Sequence, residues 1–240
     1  MDLPSALEAE GNTVCVVGAG GKKSTLYALA DGLERALVTA TVRIPPFTEQ
    51  VADLRVTTDP NTALEETTDW PLGLVADREE DRCHGYDLAE IDALASNAAD
   101  TSVLVKADGA RTRWFKAPGD HEPQLPTTAD VVVPIASAKI VGKRLDEEYV
   151  HRPERVAAIT GLEHGDRISA PAVAAVLTSD RGGWKGVPHS ATVIPLLNMV
   201  DTPALEATAR EIAAEIRERR PGARVVLTSL LADEPVVAVV

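Results

Sequence analysis

The feature that most constrains this chain is a short apolar run that leads directly into glycines, lysines and hydroxyls. Residues 13–17 read TVCVV, which is typical of a buried strand. The segment that follows consists of Gly18, Ala19, Gly20, Gly21, Lys22, Lys23, Ser24 and Thr25. From Lys22 to Leu33 the apolar residues recur at helical spacing. Because glycines let the backbone approach an anion and the amides at a helix start attract it, this context predicts a phosphate-binding loop.

The spacing of this loop departs from the common pattern G-x-x-x-x-G-K-[ST], in which a hydroxyl follows the lysine directly. Here Lys23 follows Lys22, and the first glycine lies closer to the lysine, a spacing that resembles the shorter loop of Mur-type ligases. Lys22 is predicted to neutralise the β- and γ-phosphates of a nucleotide. Ser24, ahead of Thr25, is the predicted Mg²⁺ ligand. The alternative is a tight strand-to-helix turn whose lysines are solvated.

A second apolar strand, residues 101–105, ends shortly before Asp108 and Gly109. Enzymes with a phosphate loop hold Mg²⁺ with a carboxylate at the end of a neighbouring strand, directly or through water. Asp108 is the predicted residue for this role, and Arg111 is predicted to meet phosphate or a substrate anion. The alternative is an ordinary Asp-Gly turn.

A third strand, residues 192–197, is followed by Asn198, Met199, Val200 and Asp201. This order resembles the Asn-Lys-x-Asp element of GTPases, with Met199 in place of the lysine. Asp201 would accept hydrogen bonds from guanine, and Asn198 would brace the neighbouring loop. The competing interpretation is a strand end followed by a helix N-cap, because Pro203 suits the first position of a helix.

The alternation of strand and helix patterns predicts parallel βαβ units. The expected fold is a three-layer α/β sandwich around a mostly parallel sheet, similar to P-loop NTPases. We expect a single domain over residues 1–240, with an irregular insert around 59–100 and a small helical segment around 140–190. Further strands are predicted at 36–41, 129–135, 224–228 and 236–240, and helices at 88–98 and 203–219. Pro134 is expected at the end of its strand because it cannot donate to a ladder.

The formal net charge of −13 argues against binding to nucleic acid or to anionic membranes. We find no basic leader before an apolar run and no stretch of about 18 apolar residues, so a cytoplasmic protein is expected. The cysteines, Cys15 and Cys83, form no disulfide framework. An acidic coat with little lysine also favours a halophilic source.

Four strings in this order resemble the YqeC family: VVGAGGKKSTLYALA, KADGARTRWFKAPGDHEPQLP, VHRPERVAAITG and VIPLLNMVD. The resemblance implies a nucleotide-binding protein that acts in maturation of selenium-dependent molybdenum hydroxylases. It assigns the glycine-rich loop to 18–25 and an acidic turn to 108–111. It also points to Lys116, His121, Glu122, His151 and Arg152. Lys23, Lys106 and Met199 depart from the residues usual in that family.

The preferred hypothesis is therefore Mg²⁺-dependent phosphate chemistry on GTP or ATP, by an NTPase or a phosphotransferase. Lys22, Asp108 and Arg111 are the predicted catalytic residues, and the expected partner is a molybdenum hydroxylase or its cofactor precursor. Three alternatives stay open. The chain could be a non-catalytic carrier or chaperone for the precursor, a small-molecule kinase whose second pocket is lined by His121 and His151, or a scaffold that binds no nucleotide.

Overall fold

The computed structural model describes residues 1–240. The helices are α1 (Leu3–Ala6), α2 (Lys22–Asp31), α3 (Pro60–Glu66), α4 (Leu88–Asn97), α5 (Pro153–Thr160), α6 (Ala170–Thr178) and α7 (Pro203–Arg219). The strands are β1 (Thr13–Gly18), β2 (Ala36–Ala40), β3 (Asp53–Val56), β4 (Leu72–Val75), β5 (Asp77–Arg78), β6 (Cys83–His84), β7 (Ser102–Lys106), β8 (Phe115–Lys116), β9 (Val131–Ser137), β10 (Val150–His151), β11 (Thr192–Val193), β12 (Leu196–Asn198), β13 (Val226–Thr228) and β14 (Val236–Val239). Two short 3₁₀ helices lie at Thr48–Gln50 and Ala138–Ile140.

One large sheet forms the centre of the molecule. Its strand order is β14-β13-β12-β9-β1-β7-β2-β4-β3, and β11 pairs with β9 beside this path. All neighbours are parallel except β14, which runs antiparallel to β13 at one edge. Strands β8 and β10 form a small parallel pair, and β5 and β6 form an antiparallel one. Because parallel strands end at the same edge, the segments after β1, β7 and β9 converge there.

Alternate residues of β1 show how helices cover both faces of this sheet. Val14 and Val16 pack in an apolar cluster with residues of α1 and α2. Cys15 and Val17 point the other way, into a cluster with residues of α3 and α4. A third cluster joins α5, α6 and α7 to β9, β12 and β13. The predicted α/β fold with a mostly parallel sheet is confirmed, and it is consistent with a P-loop NTPase-like three-layer sandwich.

None of the helices is long and apolar enough to cross a membrane.

Helix starts explain why several elements lie where the sequence predicts them. Asp87 and Glu90 form a reciprocal capping box at the start of α4. Thr202 caps α7, and Pro203 takes the first helical position, where a missing amide hydrogen costs nothing. A helix therefore begins after β12, as the N-cap interpretation of this segment predicts, with Thr202 as its cap.

Pro134 lies inside β9, not at its end as predicted. It pairs with Val17 of β1, and the strand continues to Ser137. The carbonyl oxygen of Val132 accepts a hydrogen bond from the amide of Ile194. Two residues further along β9, the backbone groups of position 134 point to the same side, toward β11 and β12. The partner strand is broken there, between the end of β11 and the start of β12. An amide hydrogen at position 134 is therefore not needed for the ladder. The break in the partner strand accommodates the missing donor.

Residues 59–100 differ from the irregular insert that the sequence suggests. They contain α3, β4 and α4, and β4 lies within the large sheet between β2 and β3. Strand β4 has only four residues and includes Gly73, so its sequence pattern is too short to be distinctive. Gly73 is required because an added Cβ would lie 2.7 Å from the ring of Phe47.

Candidate functional site

The loop after β1 has a backbone that only glycine adopts readily. Gly18, Gly20 and Gly21 have φ values of 88°, 99° and 134°. A Cβ on Gly20 would lie 2.6 Å from the amide nitrogen of Ser137 and 2.9 Å from the carbonyl oxygen of Trp114. The glycines thus serve both the turn and the close packing of the loop against its neighbours.

Five consecutive backbone amides of this loop, from Gly20 to Ser24, are free. None of those from Gly20 to Ser24 donates a hydrogen bond to an acceptor within the protein. Helix α2 begins at Lys22 with no side-chain cap and no acidic residue in its first turn, whereas side chains cap α3, α4, α6 and α7. Such a series of donors at a helix N-terminus carries positive potential and suits an anion.

Asn198 holds the loop in place from β12. Its Nδ2 donates to the carbonyl oxygen of Gly20 at 2.9 Å, and its Oδ1 accepts from the hydroxyl of Thr228 at 3.1 Å. The side chain is buried. A Cβ on Gly21 would collide with the same amide group. Asn198 thus contacts the loop directly, and its part in nucleotide recognition stays a prediction.

Lys22 and Asp108 form a buried ion pair beneath the loop. Lys22 Nζ lies 2.8 Å from Asp108 Oδ1 and also donates to the carbonyl oxygen of Gly18. The second carboxylate oxygen accepts from the amide of Gly18 at 2.9 Å. Burial lowers the pKa of Lys22, and the charge of Asp108 opposes that shift. The carboxylate thus holds both ends of the turn between β1 and α2.

This pair is part of a longer chain of alternating charges. Lys116 on β8 lies 2.9 Å from Asp108 Oδ2 and 2.7 Å from Glu122 Oε2, and Arg152 lies 2.6 Å from the same Glu122 oxygen. Burial alone would raise the pKa of Glu122, but Lys116 and Arg152 outweigh it and lower the pKa to about 2. The network has three cations, Lys22, Lys116 and Arg152. Its two carboxylates are Asp108 and Glu122, so one positive charge is in excess.

A cleft of about 410 Å³ opens over the loop. Its charged lining residues are all basic: Lys22, Lys23, Arg43, Arg82, Lys106, Arg111 and Arg113. No aspartate or glutamate lines it, although the molecule carries a net charge of −13. The basic side chains of the cleft therefore create a local positive field that attracts small anions, although the molecule as a whole is negative.

The hydroxyls of the loop are not equivalent. Ser24 is exposed and lines the cleft. Thr25 is buried, and its hydroxyl donates to the carbonyl oxygen of Gly21 at 3.1 Å. Ser24 is therefore the hydroxyl that a bound ligand could reach, which agrees with the preference for Ser24 over Thr25.

The residues proposed for Mg²⁺ do not form a metal site by themselves. No group of three or more histidine, cysteine or acidic side chains is arranged to hold a metal ion. The carboxylate of Asp108 is engaged by Lys22, Lys116 and the amide of Gly18. The donor set thus fails to fit an ion held by protein alone. Ligation by Ser24 and Asp108 stays a prediction.

Asp201 lies apart from the cleft lining, with both carboxylate oxygens engaged. Oδ2 lies 2.6 Å from Lys139 Nζ, and Oδ1 accepts from Ser229 at 2.8 Å. Hydrogen bonds from Lys139 and Ser229 lower the pKa of Asp201. Guanine could use this carboxylate only by displacing these partners, and recognition of guanine stays a prediction.

The histidines singled out in the sequence do not line the cleft. His121 is exposed, and His151 on β10 lies in register with Lys116 on β8. Burial, followed by the charges of Arg152 and Lys116, lowers the pKa of His151 to about 4. Neither histidine therefore belongs to this cleft, and a second pocket lined by them stays a prediction.

The structure also brings in basic residues that the sequence did not mark as site residues. Arg43 follows β2, Arg82 lies in the turn between β5 and β6, and Arg113 follows β7. Lys106, a departure from the residues usual in the family, also lines the cleft. No spacing pattern connects these positions, because their proximity depends on the strand order of the sheet.

Comparison with known proteins agrees with the sequence resemblance. A family model described as YqeC protein matches residues 14–154, which include the loop, Asp108 and Lys116. A protein of Escherichia coli (strain K12) named "Uncharacterized protein YqeC" is 29% identical over 210 residues, with 81% of each chain covered. The family match spans more than half of the sequence, and the chain belongs to the YqeC family.

Proposed function

We propose that this protein binds a nucleoside triphosphate, GTP or ATP, with the polyphosphate on loop 18–25. It would hydrolyse the triphosphate or transfer a group from it. That reaction would act in the maturation of a selenium- and molybdenum-containing hydroxylase. The biological part of this proposal rests on the family resemblance alone. The binding part rests on the geometry of the loop and the cleft.

The observation that carries the proposal is the row of unpaired amides from Gly20 to Ser24 beside a buried lysine. The first amides of an uncapped helix have no partner within the chain, so they are satisfied by water or by a ligand, and the helix dipole favours an anion there. A phosphate group offers several acceptor oxygens and a negative charge at the same point.

Lys22 would change partners when a triphosphate binds. Its ammonium group would leave Asp108 for the phosphate oxygens, which carry more negative charge than one carboxylate. Asp108 would keep Lys116 and the amide of Gly18 as partners, so its carboxylate would not be left buried and unpaired. Lys22 could therefore move to the phosphates without destabilising the turn between β1 and α2.

Arg111 would add charge to the open side of the bound phosphates. It is exposed, lines the cleft and makes no ion pair with any acidic residue. A guanidinium fork matches two phosphate oxygens at once. Any Mg²⁺ would arrive on the triphosphate, because this ion is usually held by substrate phosphates, waters and one or two carboxylates.

A second candidate function is supported by the same cleft. No carboxylate and no histidine lines it, so the side chains that most often act as general bases are not placed there. A protein that binds a triphosphate and presents it, or a cofactor precursor, to a partner enzyme needs no base. The carrier hypothesis therefore stands beside hydrolysis and group transfer.

Titration calorimetry with GTP and with ATP tests the binding proposal. Lys22→Ala should weaken triphosphate affinity about a hundredfold, which corresponds to about 3 kcal/mol for a lost charge contact in a buried site. Arg217→Ala is the matched control, because Arg217 is exposed on α7, makes no ion pair and carries the same charge. Unchanged affinity in Lys22→Ala would refute the loop as the binding site.

Turnover separates the enzyme from the carrier. Phosphate release from GTP and ATP should be measured with and without Mg²⁺, and again in the presence of a molybdenum hydroxylase apoenzyme. Mg²⁺-dependent release supports the enzyme. Tight binding without release under all of these conditions supports the carrier.

A further inference from the structure

Lys106 is a buried cation without a carboxylate partner. Its side chain lies at the end of β7, between β1 and β2, and the residue is 7% exposed. The ammonium group donates to the carbonyl oxygen of Arg43 at 2.8 Å and makes no ion pair. An ammonium group has three donors, so two are left without an acceptor in the protein.

Burial therefore destabilises the charged form of Lys106. Burial lowers its pKa to about 8, with a further lowering from Lys22 and a partial compensation from Asp108. A buried ammonium group that faces a cavity and lacks an acidic partner is stabilised by an anion from outside the chain.

Four arginines extend this cation toward solvent. We call Arg43, Arg82, Lys106, Arg111 and Arg113 the arginine side of the cleft. Arg111 and Arg113 make no ion pair, and Arg43 and Arg82 have only exposed acidic neighbours, Glu79 at 3.9 Å and Asp81 at 3.5 Å. Exposed pairs of this kind contribute about 0–1 kcal/mol, so these guanidinium groups remain available to a ligand.

Of the arginine side, the proposed triphosphate site uses only Arg111. The amides from Gly20 to Ser24 and Lys22 already face one polyphosphate, and Lys23 adds a further charge beside them. Four further cations, Arg43, Arg82, Lys106 and Arg113, line the same cleft, and we infer that they exceed what a single nucleotide requires. Two anionic ligands side by side would repel each other, and Lys22 and Lys106 would supply the charge between them.

We propose that the arginine side binds a second ligand, a small phosphomonoester, next to the triphosphate on the loop. This inference rests on the proposed function, which it extends by naming the chemical class of the second ligand. Arginine forks match phosphate oxygens better than they match neutral acceptors. Trp114 lines the same cleft and offers a flat apolar surface to the rest of such a molecule.

The size and charge of the molecule favour a small ligand over a nucleic acid. A cleft of about 410 Å³ matches the range of small-molecule sites. The net charge of −13 opposes the approach of a long polyanion, whereas a single phosphate meets only the local positive field.

Inorganic phosphate is the probe for this site. Wild-type protein is first saturated with the β,γ-imido analogue of GTP or ATP and then titrated with phosphate by calorimetry. One phosphate should bind. Lys106→Gln and Arg113→Gln should each weaken phosphate binding at least tenfold and change triphosphate affinity less than threefold. Arg217→Gln, the exposed control on α7, should change neither affinity.

Arg113 is half-buried in a loop, so Arg113→Gln tests the site even if Lys106→Gln lowers stability. The inference is overturned if the saturated protein takes up no phosphate. It is also overturned if both variants leave phosphate binding intact, or if they weaken triphosphate and phosphate equally, because one ligand then spans the cleft.

A parallel titration of nucleotide-free protein separates this inference from the proposed function. If no triphosphate binds but phosphate binds in a manner that requires Lys106 and Arg113 and tolerates Lys22→Ala, the second site stands and the nucleotide proposal fails. If phosphate binding requires Lys22 and tolerates Lys106→Gln and Arg113→Gln, the second site is overturned.

Discussion

At the scale of single residues, the side chain of Asp108 connects three segments of the chain. Its carboxylate binds Lys22 of the loop helix, Lys116 of β8 and the amide of Gly18. Lys116 in turn binds Glu122 and donates to the carbonyl oxygen of Gly109 at 2.6 Å. Lys116 is therefore the member of the network whose loss exposes the most unpaired charge.

Replacing Lys116 by methionine should destabilise the fold by about 3 kcal/mol, because removing one partner from a buried network leaves charge uncompensated. Urea denaturation measures the change. Lys139→Met is the matched control: its pair with Asp201 is partly exposed on both sides, so the cost should be about 0–1 kcal/mol. Equal costs for the two variants would show that the buried network adds nothing to stability.

The pH dependence of stability should report on Glu122 separately. Its folded pKa, about 2, lies below the ordinary value of 4.5. Ionised Glu122 therefore stabilises the fold above about pH 4.5, and this contribution is lost as the pH falls toward 2. The stability difference between wild type and Glu122→Gln should be constant above pH 4.5 and shrink below it.

His151 should affect the pH dependence of stability in a higher pH range than Glu122 does. Its folded pKa is lowered from 6.5 to about 4, so the unfolded chain takes up a proton before the folded one does. Stability from neutral His151 is complete above pH 6.5 and declines between 6.5 and 4. Denaturation of His151→Asn over that range should show a shallower decline than wild type. Parallel curves would contradict the lowered pKa.

At the scale of elements, the loop between β1 and α2 combines two requirements that can be separated. Gly20 needs both a positive φ and the absence of a Cβ, whereas Gly142 has a φ of 83° with nothing within 4 Å of an added Cβ. Gly142→Ala thus reports the cost of backbone conformation alone, and Gly20→Ala adds the cost of steric overlap.

Gly142→Ala should cost about 1 kcal/mol, as left-handed backbone does for residues with a Cβ. Gly20→Ala should cost about 2 kcal/mol more, because Ser137 and Trp114 are backbone contacts that must shift. Thermal and urea denaturation measure both. Gly20→Ala should also lose triphosphate affinity, which Gly142→Ala should keep. Equal costs in the two variants would show that the loop packs more loosely than the structure indicates.

The sequence predicts some of these elements better than others, for local reasons. Strand β1, α2 and α7 have distinct periodicity and clear ends, so their positions were predicted almost to the residue. The sequence does not predict β4, because four residues that include a glycine form too short a pattern. Pro134 was misplaced because its tolerance depends on a gap between β11 and β12, which belong to a segment about 60 residues later.

At the scale of the whole molecule, the candidate site is a local reversal of charge. The loop and Asp108 could be predicted because strand, turn and helix adjoin in sequence. The arginine side could not, since its residues come from segments after β2, between β5 and β6, and around the end of β7. The ion pairs of Lys116, Glu122 and Arg152 likewise depend on how β8 and β10 pair. Only the fold brings these charges together.

The most direct measurement is a crystal structure of the protein with the β,γ-imido analogue of GTP or ATP at saturating concentration. The account predicts phosphate oxygens within hydrogen-bond distance of the amides from Gly20 to Ser24. It also predicts that Lys22 Nζ has left Asp108 for the ligand while Lys116 remains on Asp108. A loop without phosphate, with Lys22 still paired to Asp108, would contradict it.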